Sequence, residues 1–167
     1  MLTREPGGTE WGRRIRSLVL DAAVATPLDV RAEALLMAAD RAQHTSEVIR
    51  PALARGVDVV SDRFTGSTLA YQGFARGLPV SELAELSSWA TGGLEADVVI
   101  LLDVPAAVAV TRMKPEADRM EAAGDDFHRR VAEGYRALAA QDPGRWRVVD
   151  GSGSVQDVEA LVLAALA

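Results

Sequence analysis

The 167-residue sequence predicts an α/β fold with a mainly parallel sheet, in one domain spanning residues 1–167. Three observations carry that expectation. Short apolar runs alternate with longer segments of helical spacing; the run Val98, Val99, Ile100, Leu101, Leu102 is unbroken, as in a strand covered on both faces; and the runs end on charged or turn-forming residues. In chain order, Leu2 and Thr3 read as the tail of a strand stopped by Pro6, Gly7 and Gly8. Thr9 caps a helix through Leu20, and Asp29 caps a longer one whose apolar surface is read from Leu35, Leu36, Ala39 and Ala42. Pro51 marks a break or a new first turn. Residues 57–61 form a second strand, entered from Gly56, and residues 97–103 a third, closed by Pro105. Phe127, Val131, Tyr135 and Leu138 have helical spacing; Trp146, Val148 and Val149 form a fourth strand before Gly151; Val155, Val158, Val162 and Leu166 stripe a last helix.

Composition narrows the chemistry. With a net charge of -6 and a pI of about 4.9, the chain lacks the basic balance that displaces counterions from nucleic acid or an anionic membrane, so neither partner is expected. A small anion needs only two or three well-placed arginines and stays open. The absence of cysteine removes disulfide, thiolate-nucleophile and cysteine-based zinc chemistry together. No apolar run follows a basic start, and none reaches the ~18 residues of a membrane span, so a cytoplasmic location is expected.

In open parallel sheets ligands sit beyond the carboxyl ends of the strands, which singles out residues 4–9, 62–73 and 103–105. Residues 62–73 gather an acid, a base, hydroxyls, an aromatic ring and an amide in one strand-to-helix turn. Arg63 suits a bidentate grip on phosphate, Asp62 a magnesium ion or its water, and Tyr71 and Gln72 a sugar and a base edge. A lone Asp-Arg pair would read as an ordinary salt bridge; the density of polar types favours a site. Met37 and Arg41 share a helix face four residues apart, so Arg41 can add a second positive charge and Met37 a polarizable cover for a ring, while His44 reads as structural.

Together these residues resemble the bacterial thymidylate kinases. Residues 3–9 are similar to the family's TREPGGT segment, residues 38–44 to its AADRAQH helix, and Asp62, Arg63, Phe64, Ser67 and residues 70–73 to its DR(Y/F/H), S and AYQG pattern. Asp103, Val104 and Pro105 resemble the end of its LLDV strand, and Asp118, Arg119, Met120 and Glu121 the DRIE or DRLE segment of its lid, here about residues 112–121. The resemblance runs in order from residue 1 to about 151. It implies a P-loop kinase-like three-layer fold and ATP-dependent phosphorylation of thymidine 5′-monophosphate (dTMP) to the diphosphate, with Mg2+. By position it implies acceptor binding by Pro6, Met37, Arg41, Arg63, Ser67, Thr68, Tyr71 and Gln72, with Tyr71 excluding a ribose 2′-hydroxyl. It further implies metal organisation by Asp62, transition-state cations at Arg63, Arg112 and Arg119, an ATP side at Gly151 and Ser152, and a homodimer.

Two departures stand out. Met37 occupies a place where many members have a phenylalanine, which predicts a modest change in acceptor affinity. No G-x-x-x-x-G-K-[ST] occurs among the 167 residues. In the family that loop and its central strand precede the TREPGGT segment, so Met1 stands where a strand valine is usual, an arrangement that predicts a reading frame starting further upstream. The alternative is a catalytically degenerate module that binds dTMP without transferring phosphate.

Overall fold

The computed structural model describes residues 1–21, 23–24, 26–112 and 118–167. Four short strands form two parallel pairs. Strand β1 (Leu2–Arg4) lies beside β2 (Val60–Asp62), with Leu2 opposite Val60 and Arg4 opposite Asp62; β3 (Val99–Asp103) lies beside β4 (Trp146–Asp150), with Val99 opposite Trp146 and Asp103 opposite Asp150. Among the described residues no ladder joins the two pairs. The second strand is shorter than residues 57–61 and shifted, because Val57 closes a turn onto the Ala52 carbonyl and β1 offers only three residues to pair with. The third begins at Val99 rather than 97, where Trp146 supplies its first partner.

Helix α1 (Glu10–Leu20) starts as expected at Thr9, whose side chain accepts from the Gly12 N–H. Helix α2 (Val30–His44) starts at Asp29, which accepts from Arg31 and Ala32. It continues through a π-helical turn (Thr45–Ile49) into α3 (Arg50–Ala54), with Pro51 in the first turn. Helix α4 (Thr65–Thr68) runs into a second π-helical turn (Leu69–Ala75), followed by α5 (Val80–Thr91), α6 (Ala106–Arg112), a 3-10 turn (Glu121–Ala123), α7 (Asp125–Gln141) and α8 (Val155–Leu166), the last opened by a reciprocal Ser154–Asp157 cap. Of the expected stripe on α8, Val158 and Val162 are half-buried while Val155 and Leu166 are exposed.

The expected apolar face of α2 is corrected in part: Leu36 packs against the core and Ala42 is half-buried, but the other two residues face outward. Leu35 is 58% exposed and Ala39 is also exposed, whereas Glu33, Ala34, Ala38, Asp40, Arg41 and His44 are buried. A helix that walls a polar cavity also turns hydrogen-bonding residues inward, and a count of apolar residues alone does not find them.

The apolar core gathers Val19 from α1, Ala70 and Ala75 from the second π-helical turn, Met120 ahead of the 3-10 turn, and Phe127, Val131 and Leu138 from α7. Phe74 packs on Gly134 so closely that a Cβ there would clash with its ring, which lets α7 approach the turn that follows β2. No helix among the described residues is long and apolar enough to cross a membrane. Replacing Phe127, 3% exposed, with Ala is expected to lower unfolding free energy by about 3–5 kcal/mol, read from the denaturant midpoint.

Candidate active site

The site is built around Glu5, the residue just past β1. Its backbone N–H donates to the Asp62 carbonyl at 2.9 Å, extending the β1–β2 contact by one bond. Its buried carboxylate receives Arg41 Nε at 2.9 Å on one oxygen and pairs with His44 Nδ1 at 2.8 Å on the other. The remaining ring nitrogen of His44 meets the Thr3 hydroxyl at 2.7 Å, so this fully buried histidine is structural, as its sequence context suggested. Asp40 completes the corner by accepting from the Gly7 N–H at 3.0 Å. Gly8 and Gly12 have no room for a side chain here: a Cβ on the first would strike the His44 ring, and on the second the Asp40 carboxylate.

Above this corner opens a cavity of about 250 Å³, lined by Pro6, Met37, Arg41, Arg63, Ser67, Thr68, Tyr71 and Gln72, with Asp62. Arg63 follows β2 in a left-handed conformation, φ 69°, and its guanidinium lies 5.0 Å from the Tyr71 ring centre. Arg41 donates from Nη1 to the Thr68 hydroxyl at 3.0 Å and from Nη2 to the Phe64 carbonyl at 3.2 Å, which with its bond to Glu5 commits three of its five N–H groups. The Ser67 hydroxyl meets Tyr135 at 2.7 Å, and burial pushes the Tyr135 phenol above its ordinary range, keeping it neutral.

The lining also includes residues that the sequence does not single out as site residues, among them Arg4, Glu5, Arg16, Leu20, Asp40 and His128. Arg4 sits in a strand-end segment that was singled out. Arg16 lies one helical turn after Gly12 and donates to the Pro6 carbonyl at 3.1 Å; its signal is that helix spacing, which places it over the turn at residues 6–8. His128 follows the core residue Phe127 and pairs with the Glu121 carbonyl at 3.0 Å. Asp118 and Glu121, in the segment resembling the lid, also reach the cavity.

Arg112, Arg119, Gly151 and Ser152 lie elsewhere. Arg112 donates to the carbonyls of Gly151, Ser152 and Gly153 at 2.7, 2.9 and 2.9 Å, so it forms one cluster with the turn after β4. Arg119 donates to Glu33 at 2.6 Å and to the Val19 carbonyl at 2.7 Å, behind the cavity wall. Between them, residues 113–117 of the expected lid lie outside the described residues. Asp103 forms a bidentate pair with Arg136, at 2.7 and 3.1 Å.

For a magnesium ion the fit rests on Asp62. Its carboxylate is exposed at the cavity edge and makes no side-chain hydrogen bond or ion pair among the described residues. Magnesium is commonly held by one or two carboxylates, with water and substrate phosphates completing its shell, so a lone free carboxylate suits it. No cluster of three or more His, Cys, Asp or Glu that would form an all-protein metal cage occurs among the described residues.

A strand-end arginine over an aromatic ring, a free carboxylate and a polar cavity on a parallel α/β frame suit a nucleoside monophosphate kinase, and the relatives of the chain bear out that class. The family model described as thymidylate kinase matches residues 1–162. A thymidylate kinase of Bifidobacterium longum is 48% identical over 97% of this chain and 80% of its own length; one of Desulforudis audaxviator is 51% identical over 90% and 68%. The crystal structure of thymidylate kinase from Ehrlichia chaffeensis superposes with a TM-score of 0.79 at 29% identity, covering 99% of this chain and 79% of that one. The chain belongs to the thymidylate kinase family, enzymes that phosphorylate dTMP at the expense of ATP.

Burial raises the Asp40 carboxyl above its ordinary value, and the nearby Glu5 charge adds to that, against the lowering effects of the Gly7 N–H, His44 and Arg41. A carboxyl raised on folding favours the protonated form in the folded state, so its contribution is full below the unfolded value and lost as pH rises through the folded one. Asp40→Asn keeps a carbonyl for Gly7 without the charge. Its melting temperature relative to the parent is expected to climb with pH above about 4, by thermal scans across pH; a constant difference would contradict this account of Asp40.

Proposed function

We propose that the cavity is the dTMP site of this kinase and that ATP, with Mg2+, approaches from the side of Asp62. The observation that carries the reading is the convergence of Pro6, Met37, Arg41, Arg63, Ser67, Thr68, Tyr71 and Gln72, drawn from three separate stretches of sequence, on one cavity. Arg63 grips the acceptor phosphate, and Arg41, already anchored on Glu5, offers its two remaining N–H groups. Met37 covers the base, Ser67, Thr68 and Gln72 frame it, and the Tyr71 ring excludes a 2′-hydroxyl. Asp62 would hold the magnesium ion, which supplies charge neutralisation for the reacting phosphates.

Phosphoryl transfer asks a protein chiefly to position reactants and to place cations where charge accumulates, and the side chains at this cavity suit that work. Gly151 and Ser152, held by Arg112, are assigned to the ATP side. For Arg112 or Arg119 to reach the transferring phosphoryl group, each must exchange its present carbonyl or carboxylate partners for the substrate. A cytoplasmic homodimer is the proposed working form; its support is the exposure of Leu35 and of Trp89 (81%) on the adjoining helices α2 and α5.

Titration calorimetry with dTMP tests the acceptor site. Arg63→Ala is expected to weaken binding by tenfold or more, the scale of about 1.5–3 kcal/mol for a hydrogen bond to a charged group. Unchanged affinity in that variant would place the acceptor phosphate elsewhere.

A further inference from the structure

Glu33, in the first turn of α2, is fully buried and outside the cavity lining, yet three side chains converge on it. One carboxylate oxygen accepts from Gln72 Nε2 at 2.8 Å; the other accepts from Arg119 Nη2 at 2.6 Å and, more distantly, from Arg76 Nη2 at 3.5 Å. Arg119 also holds the Val19 carbonyl at the end of α1, and Arg76 lies 4.6 Å from the Phe127 ring centre. A single carboxylate thus joins α1, α2, the π-helical turn after α4 and the segment 118–121.

We infer that Glu33 is a positioning residue that couples the 118–121 segment to base recognition by Gln72, an inference that rests on the acceptor-site reading above. An ionised carboxylate only accepts, so the Gln72 amide must turn its NH2 group toward Glu33. Its carbonyl oxygen has no protein donor among the described residues, although Gln72 is 1% exposed and lines the cavity. Glu33 therefore sets the amide so that its acceptor pole is left for the ligand. A base edge presenting an N–H, as thymine does, satisfies that pole; the unprotonated ring nitrogen of cytosine faces it lone pair to lone pair. Arg119 supplies the charge that holds the carboxylate in place, so a shift of residues 118–121 releases the constraint on Gln72. By the reciprocity of linked equilibria, a ligand satisfied by the fixed amide also favours the docked position of that segment.

The test uses Glu33→Gln and Arg119→Ala in the full chain. Calorimetry gives the affinity ratio between dTMP and deoxycytidine monophosphate, and hydrogen exchange follows the amides of residues 118–123 with and without dTMP. Glutamine at position 33 can donate as well as accept, which frees the Gln72 amide to turn; the dTMP preference is expected to fall about tenfold, the scale of one mismatched buried hydrogen bond. Arg119→Ala is expected to abolish the slowing of exchange that dTMP produces over residues 118–123 in the parent. A merely structural Glu33 would lower stability and both affinities together and leave the ratio intact, and a folded Glu33→Gln with that behaviour overturns the inference. So does a folded Arg119→Ala that keeps its dTMP-dependent protection, which decides the matter alone if Glu33→Gln does not fold. If the parent binds no dTMP, the acceptor-site reading falls first and the coupling with it; parent binding with uncoupled variants overturns the coupling alone.

Discussion

Everything at the site hangs on the carboxylate of Glu5. It stands where β1 ends, and through its backbone N–H and its two oxygens it ties together β2, Arg41 and His44. A buried carboxylate is costly to desolvate, and Arg41 offsets that cost only because both partners lie almost wholly out of water in good hydrogen-bonding geometry. The consequence is directional. Arg41 cannot rotate freely, since two more of its donors are held by Thr68 and Phe64, so the helix α2 and the turn after β2 are tied to one another. A guanidinium held in this way needs no reordering when an anion or a base arrives, and preorganisation of that kind is what an electrostatic site requires.

Glu33 repeats the device one face over. Both acids are buried, and each meets an arginine and a second nitrogen donor, although Glu5 itself borders the cavity and Glu33 lies behind its lining. The difference lies in what their partners do. Glu5 binds elements that belong to the frame, whereas Glu33 binds Arg119, within the segment that resembles the lid of the family. One carboxylate fixes the floor of the cavity and the other ties its wall to residues 118–121.

Much of this is legible in the amino-acid sequence. The caps at Thr9 and Asp29 were readable because a short polar side chain ahead of a helical pattern has one evident task there. The assembly of residues 62–73 was readable because so many polar types beside a strand end have no common structural use. What stayed hidden follows from long-range pairing. The inward face of α2 is polar, and nothing local tells that Glu33 and Asp40 are buried while Leu35 is not. Arg119 carried the family's lid pattern, yet its partner Glu33 lies 86 positions earlier, and only the fold brings them within 2.6 Å. The break between the β1–β2 and β3–β4 pairs was foreshadowed by the missing phosphate-loop motif, since in the family a central strand accompanies that loop.

Among the described residues no ladder joins the two pairs, so something else must hold them in one body. The answer is the helical layer that carries the site. Trp146, the first residue of β4, packs on Gly66 of α4 so tightly that a Cβ there would meet its ring, and Tyr135 of α7 lies 6.4 Å from the same indole. Tyr135 in turn bonds Ser67 and stacks edge-on with Tyr71, whose ring carries Arg63. A chain of aromatic and hydroxyl contacts therefore runs from the β3–β4 pair into the cavity that grows from the β1–β2 pair. The π-helical turn at Leu69–Ala75 belongs to that chain, for its wider spacing brings Tyr71 and Gln72 to the cavity while Ala70 and Ala75 face the core. Side chains that line the cavity are thus also the ones that fasten the two halves of the frame, and geometry at the cavity is inseparable from the packing that makes the fold whole.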